Sequence, residues 1–292
     1  KKFWQTDKRK GKRISWGFEN LNEGQGWTFS MLHDNDIASW TLQNLGQPDK
    51  VIWDRINQPI LHADLWRYLI LTLPTYGGIY SDSDTQCLKP FSAWGRNATF
   101  WSVSNLSLRQ VTRPPSVILA VEADVGSNQE WFKWWARPLQ FVQWTMGSAP
   151  GHPIFIDLLR RINSRPRPTD ASLLPIFEKM ESLLAEAALL ESTPLVDSDT
   201  QGELSIMELT GPGVWTDSVV NYLKVRYGLD WTRFKDLEHP VRVGELAILP
   251  RTAFSPGVNT PGFGPTWDDE AMVYHEVSRK RLLREPNDGV LC

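Results

Sequence analysis

Residues 61–90 read LHADLWRYLILTLPTYGGIYSDSDTQCLKP, and this stretch decides the fold. Its first half repeats apolar residues three and four positions apart, which predicts a helix with little exposed surface. Pro74 ends that helix, and Gly77-Gly78 predicts a tight turn that a side chain would obstruct. Ile79-Tyr80 then begins a short strand. A buried helix, a tight turn and a strand in this order are typical of an open α/β sheet.

The predicted helix carries one acid and one base. Asp64 and Arg67 are three residues apart and therefore share one side of the helix. A surface ion pair is the simplest interpretation, but charges on so apolar a helix are costly unless they contact each other or a polar ligand. The pair is therefore a candidate for a polar site.

The pattern Asp-x-Asp occurs three times, and its surroundings distinguish the three copies. Residues 34–36 stand between a predicted strand and a predicted helix, where acids cap the helix. Residues 197–199 lie in a polar loop. Only Asp82-Ser83-Asp84 follows a buried strand, at the end where open α/β sheets place their ligands. Two carboxylates there suit Mg²⁺ or Mn²⁺ shared with a diphosphate.

At these residues the chain resembles glycosyltransferase family 32. The segments HADLWRYLIL and GGIYSDSDT are similar to the donor-site segment of that family. Residues 134–154 and 207–217 resemble stretches of its fungal Golgi initiation-specific α-1,6-mannosyltransferases, so the resemblance covers most of the chain. It implies an α/β fold of the GT-A type, Rossmann-like with helical additions, as a single catalytic domain over residues 1–292.

The resemblance also implies an activity, partners and a location. The activity is metal-dependent, retaining transfer of mannose from GDP-mannose to a mannose of an N-glycan core, with Mn²⁺ or Mg²⁺ as cofactor. The partners are GDP-mannose, the N-glycan acceptor and a Golgi mannosyltransferase complex. The location is the Golgi lumen, in a type II membrane protein. Because the chain opens inside a predicted strand at KKFWQT, we expect its amino-terminal membrane anchor to precede Lys1.

Residue by residue, the resemblance implies the following site. The residues expected to act in catalysis are Asp64, Arg67, Asp82 and Asp84. The residues expected to bind the donor are Trp4, Gln5, Thr6, Asp64, Arg67, Tyr80, Asp82 and Ser83. The expected metal ligands are Asp82, Asp84 and His275. After His275 the family continues with a Gly-Ser-Trp-Lys-like segment, whereas this chain reads EVSRKR.

Glu122 and Asp124 are the expected acidic residues of the acceptor side. They follow the apolar, β-branched run Val117–Val121, and similar transferases carry an acidic residue at this place. A turn at the end of the strand explains the two acids equally well. Both interpretations stay open at this point.

The composition excludes some classes of protein. Hydrophobic residues make up 41% and charged residues 22%, which is ordinary for a soluble globular domain. A net charge of -3 gives no reason to expect nucleic acid as a partner. No apolar run approaches the ~18 residues that a membrane span needs. The 15 tryptophans favour carbohydrate binding, since flat indole rings pack against pyranose rings.

Two further features concern the cellular compartment. Asn97-Ala98-Thr99 and Asn105-Leu106-Ser107 are N-glycosylation sequons, and two such neighbours favour a secretory protein. The two cysteines, Cys87 and Cys292, are either bridged or free.

The remaining periodicities predict the other elements. The predicted strands are residues 2–6, 26–32, 117–121, 140–146 and 241–249. The predicted helices are residues 36–45, 153–163, 173–190 and 214–227. A Gly- and Pro-rich loop at 255–266 is placed to cover a site.

Other functions stay open beside the mannosyltransferase. A non-catalytic luminal carbohydrate-binding subunit would keep the tryptophans but need no metal. A glycan hydrolase would release sugar to water without a nucleotide. Within the transferases, the acceptor is alternatively inositol-phosphoceramide or an elongated mannan. Since no pair of carboxylates is identified across the scissile bond, front-face attack is favoured over a glycosyl-enzyme intermediate.

Overall fold

A computed structural model describes residues 1–9, 11–54, 56, 59–103, 113–126, 128–164, 206–258 and 262–276. The strands are β1 (Lys2–Asp7), β2 (Thr28–His33), β3 (Gly78–Ser81), β4 (Thr85–Cys87), β5 (Thr99–Phe100), β6 (Val117–Asp124), β7 (Leu139–Phe141), β8 (Thr145–Ser148), β9 (Val241–Val243), β10 (Leu246–Leu249) and β11 (Val273–His275). The helices are α1 (Asp34–Asn44), α2 (Gln47–Asp54), α3 (Pro59–Thr72), α4 (Pro153–Ser164), α5 (Pro212–Tyr227) and α6 (Arg251–Phe254).

Several predictions fall on residues that the structure does not describe. They are the helix at 173–190, the Asp-x-Asp at 197–199, the sequon at Asn105, and Cys292. Within the described residues, no helix has the length and apolar character needed to cross a membrane.

The described residues form a mixed sheet of nine strands at the centre of the fold. Its order is β2-β1-β3-β8-β6-β10-β9-β5, and β7 pairs with β6 outside this path. β1 runs parallel to β2 and β3, and β6 runs parallel to β10, while β8 joins β3 to β6 antiparallel. Apolar clusters cover both faces, as parallel strands require. The predicted α/β class is confirmed.

α3 is the helix most deeply embedded in this fold. Residues 64–71 are all buried, charged Asp64 and Arg67 included, as the apolar sequence predicts. The chain then enters β3 through Gly77 and Gly78, both at positive φ (73° and 109°). A side chain at Gly78 would collide with the Lys2 carbonyl oxygen. The glycines therefore let β3 pair closely with β1.

The structure corrects three predicted strands. The run 140–146 contains β7 and the start of β8, because these two strands pair with opposite ends of β6. The run 241–249 is a β9-β10 hairpin, which turns at Gly244 with φ 56°. β6 continues to Asp124, so Glu122 and Asp124 lie within the strand and not in a turn after it.

Two smaller features concern the ends of elements. Asp36 caps α1 as predicted, by accepting the His33 backbone N–H (3.1 Å). β4 and β11 form a separate antiparallel ribbon in which His275 lies opposite Thr85. This ribbon brings the carboxyl-terminal part of the described chain to the end of β3.

Candidate functional site

The turn at residues 82–84 connects β3 to β4 and is held through its backbone. The Asp82 N–H donates to the Trp144 carbonyl oxygen (2.8 Å). The Asp82 carbonyl accepts from Gln5 Nε2 (2.9 Å), and the Ser83 carbonyl accepts from Ser15 Oγ (2.7 Å). Three separate segments thus fix the turn without using its two carboxylates.

A second set of bonds ties the middle of the turn to the end of β1. Ser83 Oγ donates to Asp7 Oδ2 (2.6 Å), and the Arg9 guanidinium bonds both oxygens of the same carboxylate. The Arg9 side chain and backbone hold the pKa of Asp7 well below its usual range, with a further contribution from Ser83. Asp7 is therefore an anionic anchor for the turn.

The predicted donor residues of β1 lie beside this turn. Gln5 is fully buried, and its Oε1 accepts from the Ser15 N–H (2.7 Å). Trp4 is buried and donates Nε1 to the Gly77 carbonyl (2.8 Å). Thr6 is half-buried, with its hydroxyl 3.2 Å from that of Tyr80. The polar side-chain atoms of Trp4 and Gln5 are thus engaged within the protein, and donor contacts of all three residues stay predictions.

A buried charge cluster lies behind Asp82. Arg67 Nη2 is 3.3 Å from Asp64 Oδ1 and 3.3 Å from Asp82 Oδ1. Asp82 Oδ1 also accepts from the Tyr80 hydroxyl (2.6 Å). Arg67 is 8% exposed and Asp82 25%, so Asp82 is the member that faces outward. The two charges on α3 do contact each other, as their burial demands.

The remaining contacts of this cluster leave an excess of negative charge. Thr210 Oγ1 donates to Asp64 Oδ2 (2.8 Å), and Arg67 Nη1 donates to the Gln143 carbonyl (3.3 Å). Arg67 Nε has no hydrogen-bond partner among the described residues. One guanidinium pairs with two carboxylates. Burial raises the pKa of Asp64 to about 6, although the contacts with Arg67 and Thr210 lower it. The cluster is thus suited to accept hydrogen bonds from hydroxyl groups.

The raised pKa of Asp64 makes a prediction about stability. Because the folded protein favours the protonated carboxyl, the stabilisation that protonation adds is complete below about pH 4 and is lost as pH rises through about 6. Relative to Asp64→Asn, the wild type should lose roughly 3 kcal/mol of unfolding free energy between pH 4 and pH 7, since each pKa unit is worth about 1.4.

Denaturant unfolding of both proteins across this pH range measures the difference. Asp157→Asn is the matched control, since it removes a carboxylate from a partly exposed ion pair with Arg161. A wild type that gains stability over Asp64→Asn as pH rises would show that the attraction of Arg67 outweighs burial.

Asp84 and His275 meet on the outer side of the turn. His275 Nε2 lies 3.3 Å from Asp84 Oδ1, and the Glu276 N–H donates to the Asp84 carbonyl (2.8 Å). Burial opposes ionisation of Asp84, but its contact with His275 prevails and lowers the pKa of the carboxyl. The imidazole stacks on Trp144, with ring centroids 4.3 Å apart and planes at 21°.

These side chains fit a divalent cation with fewer protein ligands than predicted. Among the described residues, no three His, Cys, Asp or Glu side chains converge on one point. Asp82 Oδ1 is engaged by Arg67 and Tyr80, so the structure does not bring Asp82 to the Asp84–His275 pair as a third ligand. A carboxylate and an imidazole at a partly exposed turn suit a cation that takes its other ligands from a diphosphate.

The predicted acceptor-side acids have defined partners. Glu122 accepts from Gln140 Nε2 (2.8 Å) and from Trp144 Nε1 (3.1 Å). Asp124 Oδ2 accepts from the Asp236 N–H, whereas its buried Oδ1 has no hydrogen-bond partner in the described part of the chain. Their role toward the acceptor stays a prediction.

Four residues of the site are absent from the sequence-based prediction. They are Asp7, Gln143, Trp144 and Thr210. Only the break between β7 and β8 singles out residues 142–144, and their sequence, Val-Gln-Trp, contains no turn-forming residue that would mark that break. Asp7 directly follows the predicted strand 2–6, so its position at a strand end was the one available indication.

Residues 16–101 match the family model described as "Glycosyltransferase sugar-binding region containing DXD motif". The matched range contains Asp64, Arg67 and the turn at 82–84. The segment that the family shares therefore contains the buried charge cluster and the turn. Thr210 and His275 lie outside that segment.

Curated relatives extend the similarity beyond that segment. The initiation-specific alpha-1,6-mannosyltransferase of Schizosaccharomyces pombe is 38% identical over 74% of this chain and 46% of its own length. The Candida albicans protein of the same name is 32% identical over 75% of this chain and 53% of its own length. The Saccharomyces cerevisiae protein of that name is 26% identical over 86% of this chain and 70% of its own length.

The chain thus spans about half the length of the first two curated relatives it matches. Among solved structures, PaToxG Glycosyltransferase is 15% identical with a TM-score of 0.42, covering 77% of this chain and 69% of that one. A likeness at that level does not establish a shared architecture. The family assignment rests on the sequence matches: the chain belongs to the glycosyltransferases that carry this DXD-containing sugar-binding region.

Proposed function

We propose that this protein is a retaining α-1,6-mannosyltransferase that moves mannose from GDP-mannose to a mannose of an N-glycan core. One observation carries the proposal: at the end of β3, the Asp84–His275 pair lies beside the cluster of Asp82, Arg67 and Asp64. A donor with a diphosphate next to a hydroxyl-rich sugar needs a cation site for the diphosphate and hydrogen-bonding groups for the sugar side by side. The names of the curated relatives supply the choice of mannose and linkage.

Asp84 and His275 would hold a divalent cation, Mn²⁺ or Mg²⁺, together with oxygens of the donor diphosphate. The cation, when bound, neutralises charge on the departing diphosphate. Asp84 supplies anionic oxygen from a side chain that is 41% exposed. His275 supplies a neutral nitrogen ligand, which suits Mn²⁺ beside a carboxylate.

The buried cluster would bind the donor sugar. Asp82 is partly exposed and already accepts from Tyr80, so its carboxylate is oriented before the donor arrives. Arg67 holds Asp82 in place through their 3.3 Å contact, and Asp64 fixes Arg67 from the other side. Because these groups are buried, their hydrogen bonds to sugar hydroxyls are stronger than the same bonds in water.

Retention of configuration would proceed by attack from the face that the diphosphate leaves. In that scheme the leaving phosphate helps to remove the proton of the acceptor hydroxyl. Glu122 fits a structural role better than that of a nucleophile, because both of its oxygens accept hydrogen bonds from neighbouring side chains.

An assay with defined donors and acceptors tests the function. Purified protein is incubated with GDP-mannose or UDP-sugars, with and without Mn²⁺, and with a Man8 to Man9 N-glycan. We expect transfer of one mannose from GDP-mannose only, in Mn²⁺, with an α-1,6 linkage by NMR of the product. Release of free sugar from the glycan without a nucleotide would instead identify a hydrolase. Glycan binding without turnover of any donor would identify a binding subunit.

We also propose that the protein acts in the Golgi lumen, as a type II membrane protein and a member of a mannosyltransferase complex. The support is an exposed Asn97 in its sequon together with the resemblance of residues 134–154 and 207–217 to fungal Golgi mannosyltransferases. Asn97→Gln should remove one glycan from protein expressed in a secretory host, as seen by mass before and after glycosidase treatment. An unmodified Asn97 in the wild type would contradict this part of the proposal.

A further inference from the structure

We infer that Trp144 is a positioning residue that orients both halves of the candidate site, and that Glu122 fixes its indole. The inference concerns the arrangement of this chain's own side chains. Its consequence for cation binding rests on the proposed function.

Trp144 contacts the two sides of the turn through different groups. Its backbone carbonyl accepts from the Asp82 N–H (2.8 Å), which holds the carboxylate on the sugar side. Its indole face stacks on the His275 imidazole at 4.3 Å, which holds the ligand on the diphosphate side. A single residue therefore sets the position of Asp82 relative to that of His275.

The indole is itself held in one orientation. Nε1 donates to Glu122 Oε1 (3.1 Å), and Glu122 Oε2 accepts from Gln140 Nε2 (2.8 Å). Gln140 Oε1 in turn accepts from the Ala136 N–H (3.0 Å), so the amide cannot rotate without losing a bond. Since Trp144 is 7% exposed and Gln140 1%, these bonds are shielded from water. Glu122 thus acts on the site through Trp144.

His275 needs such a support because its backbone does not orient its ring. β11 is three residues long and pairs with β4, which fixes the main chain of His275 opposite Thr85. Its side chain is 17% exposed, and the stack on Trp144 defines the ring plane that places Nε2 3.3 Å from Asp84. Partners that orient a ligating histidine typically affect metal affinity about 10–100-fold when removed.

Three variants separate positioning from general stability. Trp144→Leu removes the indole, and Trp144→Phe keeps a flat ring but loses the N–H to Glu122. The matched control is Trp94→Leu, because Trp94 is equally buried and packs on the same Phe254 (5.1 Å, against 6.2 Å for Trp144). The Trp94 indole donates to the Lys89 carbonyl, and its ring packs on Phe91 and Phe254.

The first measurement needs no metal. In histidine-labelled protein, with His275 assigned by its absence in His275→Asn, the ring protons of His275 should be shifted upfield by the stacked indole. We expect Trp144→Leu to abolish this shift, Trp144→Phe to reduce it, and Trp94→Leu to leave it unchanged. A shift that persists in Trp144→Leu overturns the inference. If Trp144→Leu does not fold, the same comparison is made with Trp144→Phe.

The second measurement is Mn²⁺ binding in the presence of GDP, followed by the electron paramagnetic resonance of free Mn²⁺. Trp144→Leu should weaken binding about 10–100-fold and Trp144→Phe about tenfold or less. Trp94→Leu should lower the melting temperature without weakening Mn²⁺ binding. Equal weakening by Trp94→Leu and Trp144→Leu would mean that Trp144 acts only through stability. A wild type that binds no Mn²⁺ would refute the metal in the proposed function, and the histidine spectra would then decide the role of Trp144 alone.

Discussion

Asp84→Ala is expected to abolish measurable mannosyl transfer while leaving the protein folded. Removing one preorganised group that stabilises transition-state charge costs about 10²–10³ in rate, and a direct cation ligand should cost at least that. The stability effect should be small, because the Asp84 side chain is 41% exposed and its contact with His275 is partly solvated. Initial rates at saturating donor, with melting temperatures beside them, test both statements.

Metal removal and a second ligand variant complete this test. A chelator should abolish the transfer activity of the wild type, and added Mn²⁺ should restore that activity. His275→Ala should be severely impaired and partly rescued at high Mn²⁺, because a water molecule replaces a neutral ligand more readily than a carboxylate. Asp269→Ala serves as control, since it removes a fully exposed acid paired loosely with Lys89 (3.9 Å). Transfer that continues in the chelator, or in Asp84→Ala, would remove the cation from the mechanism.

The turn and its helix were predictable from the sequence because their signals are local. The apolar spacing of residues 61–73, the two glycines and the two aspartates all lie within one stretch of about thirty residues. A helix period, a positive φ and a strand end each depend on near neighbours. The pairing of Asp64 with Arg67 follows equally from their spacing of three residues on one helix.

The sequence offers both Asp82 and Asp84 as metal ligands but does not contain the contacts that distinguish them. Both carboxylates stand in the same turn, and their different partners come from segments distant in sequence. The Arg67 guanidinium, which also pairs with Asp64, lies 3.3 Å from the Asp82 carboxylate. The Asp84 carboxylate instead contacts the His275 imidazole. We therefore propose Asp84 and His275 as the cation ligands and Asp82 as a contact of the donor sugar.

Trp144 was hidden for a different reason. Residues 139–142 and 144–148 are all buried although Gln140, Thr145 and Ser148 are polar, so the spacing of apolar residues does not mark where β7 ends and β8 begins. The break at residues 142–144 exists because β7 and β8 pair with different parts of β6. Which part of β6 each strand pairs with depends on residues distant in sequence. The local spacing of apolar residues therefore does not predict it.

Arg67→Met should be inactive and, unlike Asp84→Ala, strongly destabilised. Arg67 is buried between two carboxylates, so its removal leaves Asp64 and Asp82 without a countercharge. Breaking a buried pair by removing one partner typically costs 3–5 kcal/mol. The loss should be largest at neutral pH and smaller in acid, because burial raises the pKa of Asp64 and protonation removes its uncompensated charge. Denaturant unfolding at pH 5 and pH 7.5 measures this difference.

The double variant Arg67→Met/Asp64→Asn separates the structural role of the pair from its role toward the donor. Replacing both charges of α3 by neutral groups of similar shape should recover much of the stability, because the buried charge of Asp64 is gone and only the partly exposed Asp82 stays without its countercharge. Transfer should not recover, because Asp82 has lost the guanidinium that fixes its position, and the proposed function requires that position for the donor sugar. A double variant as stable and as active as the wild type would make the pair a dispensable ion bridge. A double variant no more stable than Arg67→Met would show that the loss of stability comes from packing and not from charge.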